Sequence, residues 1–193
     1  MPRIARIVET GSPHHICQRG NNRQVIFKDD LDRRQYLQIL EKSSHKYGLK
    51  ILAYCLMNNH VHLVVIPEEI DTLLQTFRKL NTAYSYYFNK KYFQDGHLWK
   101  ERYFSAVLDS RYLVSAVRYI ERNPVRAGIV KEIEAWIWST AKHHLGHKNP
   151  SQIIIDDFFK YCEITRKQWE SYIKQKDLPS HLRMFRGKQG NPK

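Results

Sequence analysis

The feature that most constrains the fold is the stretch from residue 54 to residue 66, which reads YCLMNNHVHLVVI. Its apolar, β-branched second half predicts a central strand of a sheet that is packed on at least one side. His60 and His62 are two residues apart, so the alternation of strand side chains puts both imidazoles on one face. Asn58 and Asn59 suit the turn of a hairpin that joins this strand to the one before it. The sequence thus predicts two histidines that converge on one point of a rigid platform.

A histidine pair of this kind has two interpretations. Ten histidines among 193 residues produce some close pairs by chance, and a histidine in a strand is often only a hydrogen-bonded structural residue. Two converging imidazoles are also suitable ligands for a divalent metal. The pair alone leaves both interpretations open, and the rest of the chain has to decide between them.

The remaining apolar patterns predict an α+β fold. They indicate strands at 14–19, 49–56, 60–66 and 98–108 and helices at 29–47 and 71–91. The resulting order, β-α-β-β-α-β, is that of the ferredoxin-like and RRM-like folds. An antiparallel sheet of this kind carries its helices on one face and leaves the other face for a ligand or another helix.

A further helix is predicted directly after the fourth strand, at 110–123. Asp109 or Ser110 is its expected N-cap, and Pro124 is its expected stop. Its apolar residues fall into one stripe, which predicts a helix packed against the sheet. The members of the stripe are Leu113, Ala116, Val117 and Ile120.

The other sides of this helix carry basic and polar residues. At 100° per residue, Arg111, Arg118 and Arg122 fall opposite the apolar stripe. Tyr119 and Asn123 lie one turn apart along the edge between the two sides, so a hydroxyl and a carboxamide are able to meet one site. Helical geometry alone also fits Tyr119 as an ordinary boundary residue.

The composition favours a nucleic-acid partner. The chain has 32 Lys and Arg residues against 19 Asp and Glu, a formal net charge of +13, and such an excess attracts polyanions. It contains no apolar span of about 18 residues and no signal-peptide core, so we expect a soluble protein with no membrane partner. Cys17, Cys55 and Cys162 are widely spaced, which suits a reducing cytosol better than a disulfide framework or a zinc ribbon.

One main domain is expected for a chain of this length. The sequence predicts this domain over residues 1–140 and a C-terminal extension over residues 141–193. A helix-like apolar pattern at 153–172 is followed by a basic tail that is poor in core-forming residues. The tail is expected to be mobile or bound to nucleic acid.

Several blocks along the chain together resemble the HUH single-tyrosine transposases, and most closely their REP-associated tyrosine transposase branch. The resemblance covers about three-quarters of the chain, and ordered blocks are more specific than a His-x-His motif alone. The matching residues are Arg19-Gly20, the block 54–65 with His60 and His62, the block 96–99 with Arg102, Tyr112-Leu113, the run 118–128 and Trp138-Ser139.

The resemblance implies a set of site residues and partners. His60 and His62 hold a divalent metal, Mg²⁺ or Mn²⁺, and Tyr119 is the nucleophile. In related enzymes a Gln one turn after the tyrosine completes the metal site, and here Asn123 offers the same carboxamide oxygen on a shorter arm. The implied partner is single-stranded DNA with a REP-like hairpin, bound by a monomer or a homodimer. Because the site mixes imidazole and oxygen ligands, we expect Mn²⁺ to be the best activator in vitro.

The expected activity is that of a metal-dependent endonuclease and strand transferase in the cytosol, associated with the nucleoid. Attack of the Tyr119 phenol on phosphorus gives a 5′-phosphotyrosine link and a free 3′-hydroxyl, and reversal with another 3′-hydroxyl rejoins strands without ATP. The arginines expected to contact DNA are Arg3, Arg6, Arg19, Arg23, Arg102, Arg118, Arg122 and Arg126.

Two alternatives stay open. The same order of elements builds RRM-like modules that bind single-stranded RNA or DNA without catalysis, and these need aromatic residues on the central strands. A zinc hydrolase needs a third strong ligand and a general base, and the sequence places neither convincingly.

Overall fold

Four antiparallel strands form the sheet in the part of the chain that the computed structural model describes, residues 7–148 and 153–177. Their order across the sheet, β2-β3-β1-β4, is the ferredoxin-like order and confirms the predicted α+β class. The strands are β1 His14–Arg19, β2 Leu49–Leu56, β3 His60–Pro67 and β4 Phe104–Val107. Strand β3 therefore lies inside the sheet, hydrogen-bonded to β1 on one side and to β2 on the other.

Two helices, α1 Asp30–Tyr47 and α2 Thr72–Tyr92, cover one face of this sheet. Helix α1 begins at a capping box between Asp29 and Asp32 and ends before Gly48, whose φ of 67° is left-handed. These local signals explain why its predicted limits are confirmed. Within residues 7–148 and 153–177, no helix is both long enough and apolar enough to cross a bilayer.

The opposite face is covered by a third helix, α3 Ser110–Glu121. Asp109 caps its first turn by accepting a hydrogen bond of 3.0 Å from the backbone N–H of Tyr112. The predicted apolar stripe packs on the face of β3 that carries Val64 and Ile66. His60 and His62 share this face by the alternation of the strand, so the histidine pair lies on the side of the sheet that α3 covers.

The predicted fourth strand is too long. A strand was expected at 98–108, but β4 spans only Phe104–Val107. The preceding residues leave the ladder because Leu98 and Tyr103 turn their side chains into the core beneath α1 and α2. Only an isolated bridge between Gly20 and Trp99 continues the pairing.

The predicted end of the tyrosine-bearing helix is also corrected. Helix α3 ends at Glu121 rather than at 123, and Pro124 lies in the first turn of a short helix, α4 Asn123–Arg126. A proline is accepted there because the first N–H groups of a helix have no intrahelical partner. Pro124 thus begins a new helical turn instead of stopping the old one.

The segment after α4 returns to the free edge of β2. The N–H of Leu56 donates to the carbonyl oxygen of Trp138 at 2.9 Å, and the N–H of Thr140 donates to that of Tyr54 at 3.1 Å. An exposed strand edge presents unpaired backbone groups to other chains. The returning segment satisfies those of β2.

The described part of the C-terminal extension packs into the same core as α3. It contains helix α6 Arg166–Lys174, which follows the short helix α5 Ala141–His144. Phe158, Trp169 and Ile173 are fully buried among the apolar residues of α3. The division of the chain after residue 140 stays a prediction, and the tail from 178 to 193 lies outside the described residues.

We predict that Trp169→Ala destabilises the whole domain. Removing a fully buried indole from a core costs about 3–5 kcal/mol of unfolding free energy, and the shared core makes the loss appear in one cooperative transition. Tyr86→Ala is the matched control, because Tyr86 is 69% exposed and its removal leaves the transition in place. Urea unfolding followed by circular dichroism measures both variants. An unchanged main transition in Trp169→Ala would show that α6 folds apart from the sheet.

Candidate active site

The two histidines of β3 adjoin each other beneath α3. Their ring centroids are 4.9 Å apart and the rings are nearly perpendicular, at 88°. His62 is almost completely buried and His60 is partly exposed. One imidazole is therefore fixed inside the protein while its neighbour faces the edge of the site.

Asn59, in the hairpin turn, orients the ring of His60. Its amide nitrogen donates to the carbonyl oxygen of Arg23 at 3.3 Å, which turns its amide oxygen toward the histidine. That oxygen accepts a hydrogen bond of 2.7 Å from Nδ1 of His60. A neutral imidazole that donates from Nδ1 carries its lone pair on Nε2. His60 is thus held in the tautomer that binds a metal through Nε2.

A third histidine, His15 of β1, completes the cluster. Its Nε2 lies 3.1 Å from Nδ1 of His62, and the two rings are stacked with centroids 5.3 Å apart. Sequence reasoning missed both His15 and the role of Asn59. The contact between His15 and His62 depends on the strand register, which sets Cys17 opposite His62 and therefore His15 diagonally across from His62. That register cannot be read from the sequence. The signal that was available is a histidine in a strand predicted to neighbour β3.

Tyr119 of α3 lies over this cluster. Its ring centroid is 5.9 Å from that of His62 and 6.5 Å from that of His15, and it meets both rings edge-on. The tyrosine is partly exposed, so a large substrate has access to it. Tyr119, on the edge of the predicted helix, thus lies beside the histidines.

Arg126 of α4 covers the other side of the tyrosine. The centre of its guanidinium lies 4.2 Å from the centroid of the Tyr119 ring, and the same group donates to the Tyr119 carbonyl oxygen at 2.5 Å. Burial lowers the pKa of Arg126, an effect opposed by its interactions with Tyr119 and Asp177. A fixed positive charge against a phenol ring favours the anionic form of that phenol.

The histidines are neutral at physiological pH. Burial lowers the pKa of His15 to about 4, and burial together with the charge of Arg19 lowers that of His60 to about 4. The pKa of His62 lies well below its ordinary value, mainly through burial and then through the neighbouring charges. Neutral imidazoles are the form that binds metals, so the cluster needs no deprotonation to act as a ligand set.

The residues fit a divalent metal only as an imidazole and amide site. Within residues 7–148 and 153–177, no group of three His, Cys, Asp or Glu side chains is placed to hold a metal. Asn123 begins α4 one turn after Tyr119, and its side-chain nitrogen is buried with no hydrogen-bond partner among the described residues. The role of the Asn123 carboxamide as a ligand beside His60 and His62 stays a prediction. Such a set leaves coordination positions for water or phosphate oxygens.

Arg118 and Arg122, two of the predicted DNA contacts, lie in the interior rather than on the surface. Both are buried, and both bind the Asp177 carboxylate, at 2.8 Å and 3.0 Å respectively. Arg118 also donates to the Gln175 carbonyl oxygen at 2.6 Å and Arg122 to that of Ile173 at 2.7 Å, so they satisfy the end of α6. The side of α3 that carries these arginines is occupied by α6, a contact between distant elements that the helical pattern of α3 does not show.

Asp177 gathers three arginines at one carboxylate. Its second oxygen lies 3.8 Å from Arg126. Burial alone would raise the pKa of Asp177, but the hydrogen bond from Arg122 and the three guanidinium charges outweigh it and hold the pKa below its ordinary value. The same carboxylate thus ties α6 to the arginine that covers Tyr119.

Three of the remaining predicted DNA contacts lie on β1 or on the segments that follow β1 and precede β4. Arg19 lies opposite His60 in the β1–β3 ladder, and the N–H of Lys100 donates to its carbonyl oxygen at 2.9 Å. Arg23 and Arg102 are exposed on the two loops that this contact joins. A β-carbon at Gly20 would collide with the carbonyl oxygen of Gln24, so the first of these loops requires glycine. Arg3 and Arg6 lie outside the described residues.

The protein is thus an α+β domain whose central strand carries a histidine pair beneath a tyrosine-bearing helix. The chain belongs to the IS200-like transposase family, whose family model matches residues 10–123. The match runs from before β1 to Asn123 and contains both histidines and Tyr119. The predicted resemblance to single-tyrosine transposases is confirmed.

The chain is also similar to individual proteins of known sequence or structure. A curated protein of Haemophilus influenzae, described as a REP-associated tyrosine transposase, is 21% identical over 117 residues, which are 55% of this chain and 66% of that protein. The chain therefore spans slightly less than two thirds of that relative. The solved structure of a REP-associated tyrosine transposase bound to a REP hairpin covers 81% of this chain and 93% of its own, with 20% identity and a TM-score of 0.62, and has the same fold. A solved transposase of Deinococcus radiodurans is 19% identical, with a TM-score of 0.39.

We predict that acid destabilises the metal-free protein through the buried histidines. An unfolded histidine binds its proton near pH 6.5, whereas folded His15 does so only near pH 4. Between these values the unfolded state holds more protons, so the free energy of unfolding falls as the pH falls, by about 1.4 kcal/mol per pH unit for each such group. Urea unfolding across this range measures the slope, and His15→Gln reduces it. Parallel curves for the two proteins would contradict the assignment to His15.

We also predict that Asp177→Asn loosens α6. The substitution removes the charge that the buried Arg118 and Arg122 face, which costs about 1–3 kcal/mol of unfolding free energy. Glu170→Gln breaks an exposed ion pair with Lys174 on the same helix and is expected to leave the unfolding midpoint unchanged. Equal midpoints for all three proteins would mean that the arginine cluster contributes nothing to stability.

Proposed function

We propose that this protein is a metal-dependent endonuclease and strand transferase that cleaves single-stranded DNA beside hairpins through a 5′-phosphotyrosine at Tyr119. The observation that carries the proposal is the placement of the Tyr119 ring between the histidine cluster and the guanidinium of Arg126. A tyrosine of purely structural function has no need of a histidine pair on one side and a cation on the other. Membership in a transposase family supports the proposal.

The chain's own residues account for the chemistry at the nucleophile. A phenol with a reference pKa of about 10 is mostly protonated at neutral pH, and Arg126 favours the phenolate that forms as the proton leaves to solvent. The phenolate oxygen bonds to phosphorus, the bond from phosphorus to the 3′-oxygen breaks, and the departing oxygen takes a proton from solvent to become a 3′-hydroxyl. The reverse step with another 3′-hydroxyl rejoins the strand, so no ATP is required.

The residues that would hold a divalent metal are His60, His62 and Asn123. A bound Mg²⁺ or Mn²⁺ supplies polarisation of a non-bridging phosphate oxygen and screening of the phosphate charge. Asn59 and the strand itself fix the imidazoles before the substrate arrives. Fixing ligands in advance avoids ordering them during the reaction.

The proposed substrate is single-stranded DNA with a REP-like hairpin. The relative solved with a REP hairpin bears on this choice by analogy of fold, and the charge of +13 favours a polyanion. Arg19, Arg23 and Arg102 are the proposed phosphate contacts, since Arg19 lies opposite His60 and the other two are exposed on the loops joined by the hydrogen bond between Lys100 and Arg19. Tyr119 and the histidines of one chain already meet, so we propose a monomer as the active unit, working on DNA in the cytosol.

The RRM-like alternative is less compatible with this fold. An RRM binds bases on an open sheet face that carries aromatic side chains. Here α3 covers that face of β3, and the central strands present histidines to it. A zinc hydrolase would need a third His, Cys, Asp or Glu ligand, and residues 7–148 and 153–177 contain no group of three such side chains placed to hold a metal.

We predict that Tyr119→Phe abolishes formation of a covalent protein–DNA adduct. The protein is incubated with labelled hairpin-bearing single-stranded DNA and Mn²⁺, and the adduct is detected on a denaturing gel and by mass spectrometry. Tyr112→Phe is the matched control, because Tyr112 belongs to the same helix but is exposed at its first turn, and it is expected to form the adduct as the wild type does. His60→Ala is expected to lose the adduct while it retains DNA binding.

Two results would contradict the proposal. Adduct formation by Tyr119→Phe would place the nucleophile elsewhere. Binding of single strands by every variant without cleavage, across a panel of hairpin sequences and with both Mg²⁺ and Mn²⁺, would favour the non-catalytic module.

A further inference from the structure

The hydrogen bond between His15 and His62 has two possible directions, depending on which ring nitrogen carries the proton. The two ring nitrogens are 3.1 Å apart, a hydrogen-bond distance, so one of them carries the proton and the other accepts it. If Nε2 of His15 donates, a neutral His62 has its own proton on Nε2. If Nδ1 of His62 donates, its lone pair lies on Nε2 and is available to a metal. The direction of one hydrogen bond thus decides whether His62 is able to serve as a ligand through Nε2.

The backbone holds His15 firmly in place for this contact. Strand β1 pairs with β3 on one side and with β4 on the other, and His15 itself lies opposite Val64 and Ala106. Its side chain is only 2% exposed. The rings of Phe104 and Tyr119 meet it edge-on, at 6.3 Å and 6.5 Å. Bulk water has little access to the Nδ1 atom of His62, so the partner of that atom is set by the protein.

The two candidate ligands, His60 and His62, each have a hydrogen-bond partner at Nδ1. Asn59 accepts from Nδ1 of His60, and the orientation of that amide is fixed by its second hydrogen bond to Arg23. An acceptor at Nδ1 of His62 would give both imidazoles the same tautomer. A metal-binding histidine usually donates its other N–H to such an acceptor, which fixes the ring and strengthens it as a ligand.

We propose that His15 is a positioning residue. Its Nε2 accepts a hydrogen bond from the Nδ1–H group of His62, which leaves the Nε2 lone pair of His62 free to bind a divalent cation. This inference rests on the proposed function, in which His62 binds a metal. It adds a residue from β1 to a site that the sequence placed on β3 and α3 alone. His15 touches neither DNA nor the metal and acts only through His62.

The test is direct measurement of Mn²⁺ binding, by electron paramagnetic resonance of free Mn²⁺ during titration of the purified full-length protein with MnCl₂. His15→Leu keeps the bulk but has no acceptor, and we expect it to weaken Mn²⁺ binding by about 10- to 100-fold. His15→Gln restores an acceptor oxygen, and its loss is expected to be smaller. Phe104→Leu is the matched control, because it removes a ring that touches His15 but no hydrogen bond, and its affinity is expected to equal that of the wild type.

The outcomes separate this inference from the proposed function. Loss of binding in His62→Ala together with normal binding in His15→Leu would overturn the role of His15 and leave the metal centre intact. Absence of Mn²⁺ binding by the wild type would overturn both. Thermal unfolding without metal is recorded for each variant, and equal weakening by His15→Gln and His15→Leu at matched stability would also count against the acceptor.

Discussion

The backbone hydrogen bonds on both sides of β3 are the interaction on which the rest of the site depends. Strand β3 is paired along its length with β1 and with β2, so its side chains keep a fixed alternation between the two faces. A slip of one residue would move both histidines to the face of α1 and α2 and bring Val61 and Leu63 under α3. The apolar residues of both faces oppose that slip, because each face of β3 is buried in its own cluster. The core thereby fixes the chemistry as well as the stability.

Electrostatics divides the site into a neutral half and a charged half. Burial keeps His15, His60 and His62 uncharged, which suits ligands for a cation. On the other side of Tyr119, three arginines converge on the single carboxylate of Asp177. Buried arginines without a partner would be costly, so α6 and Asp177 allow a positive charge to be kept against the tyrosine ring. The C-terminal extension thus affects the surroundings of Tyr119 through Arg126.

Local signals made much of the fold predictable. The limits of α1 follow from a capping box and a C-terminal glycine, and the strand pattern of 60–66 follows from its β-branched run. Strand period predicted that the histidines share one face and helical geometry put Tyr119 at the edge of its helix, but the predicted roles of these residues came from the resemblance to the transposase family. Contacts between elements could not be predicted from the sequence. His15 reaches His62 because of the strand register. Arg118 and Arg122 are buried because α6 packs beside α3. The shortened β4 also results from a contact between elements, since Leu98 and Tyr103 pack into the core instead of continuing the strand pairing.

Anomalous scattering at the manganese edge from crystals of the protein with hairpin DNA and Mn²⁺ would locate the metal directly. We expect one manganese peak bound to Nε2 of both His60 and His62, with the Tyr119 hydroxyl facing the DNA phosphate beside it. A peak elsewhere, or one that binds a single histidine through Nδ1, would contradict the claim that β3 presents a metal site to the tyrosine.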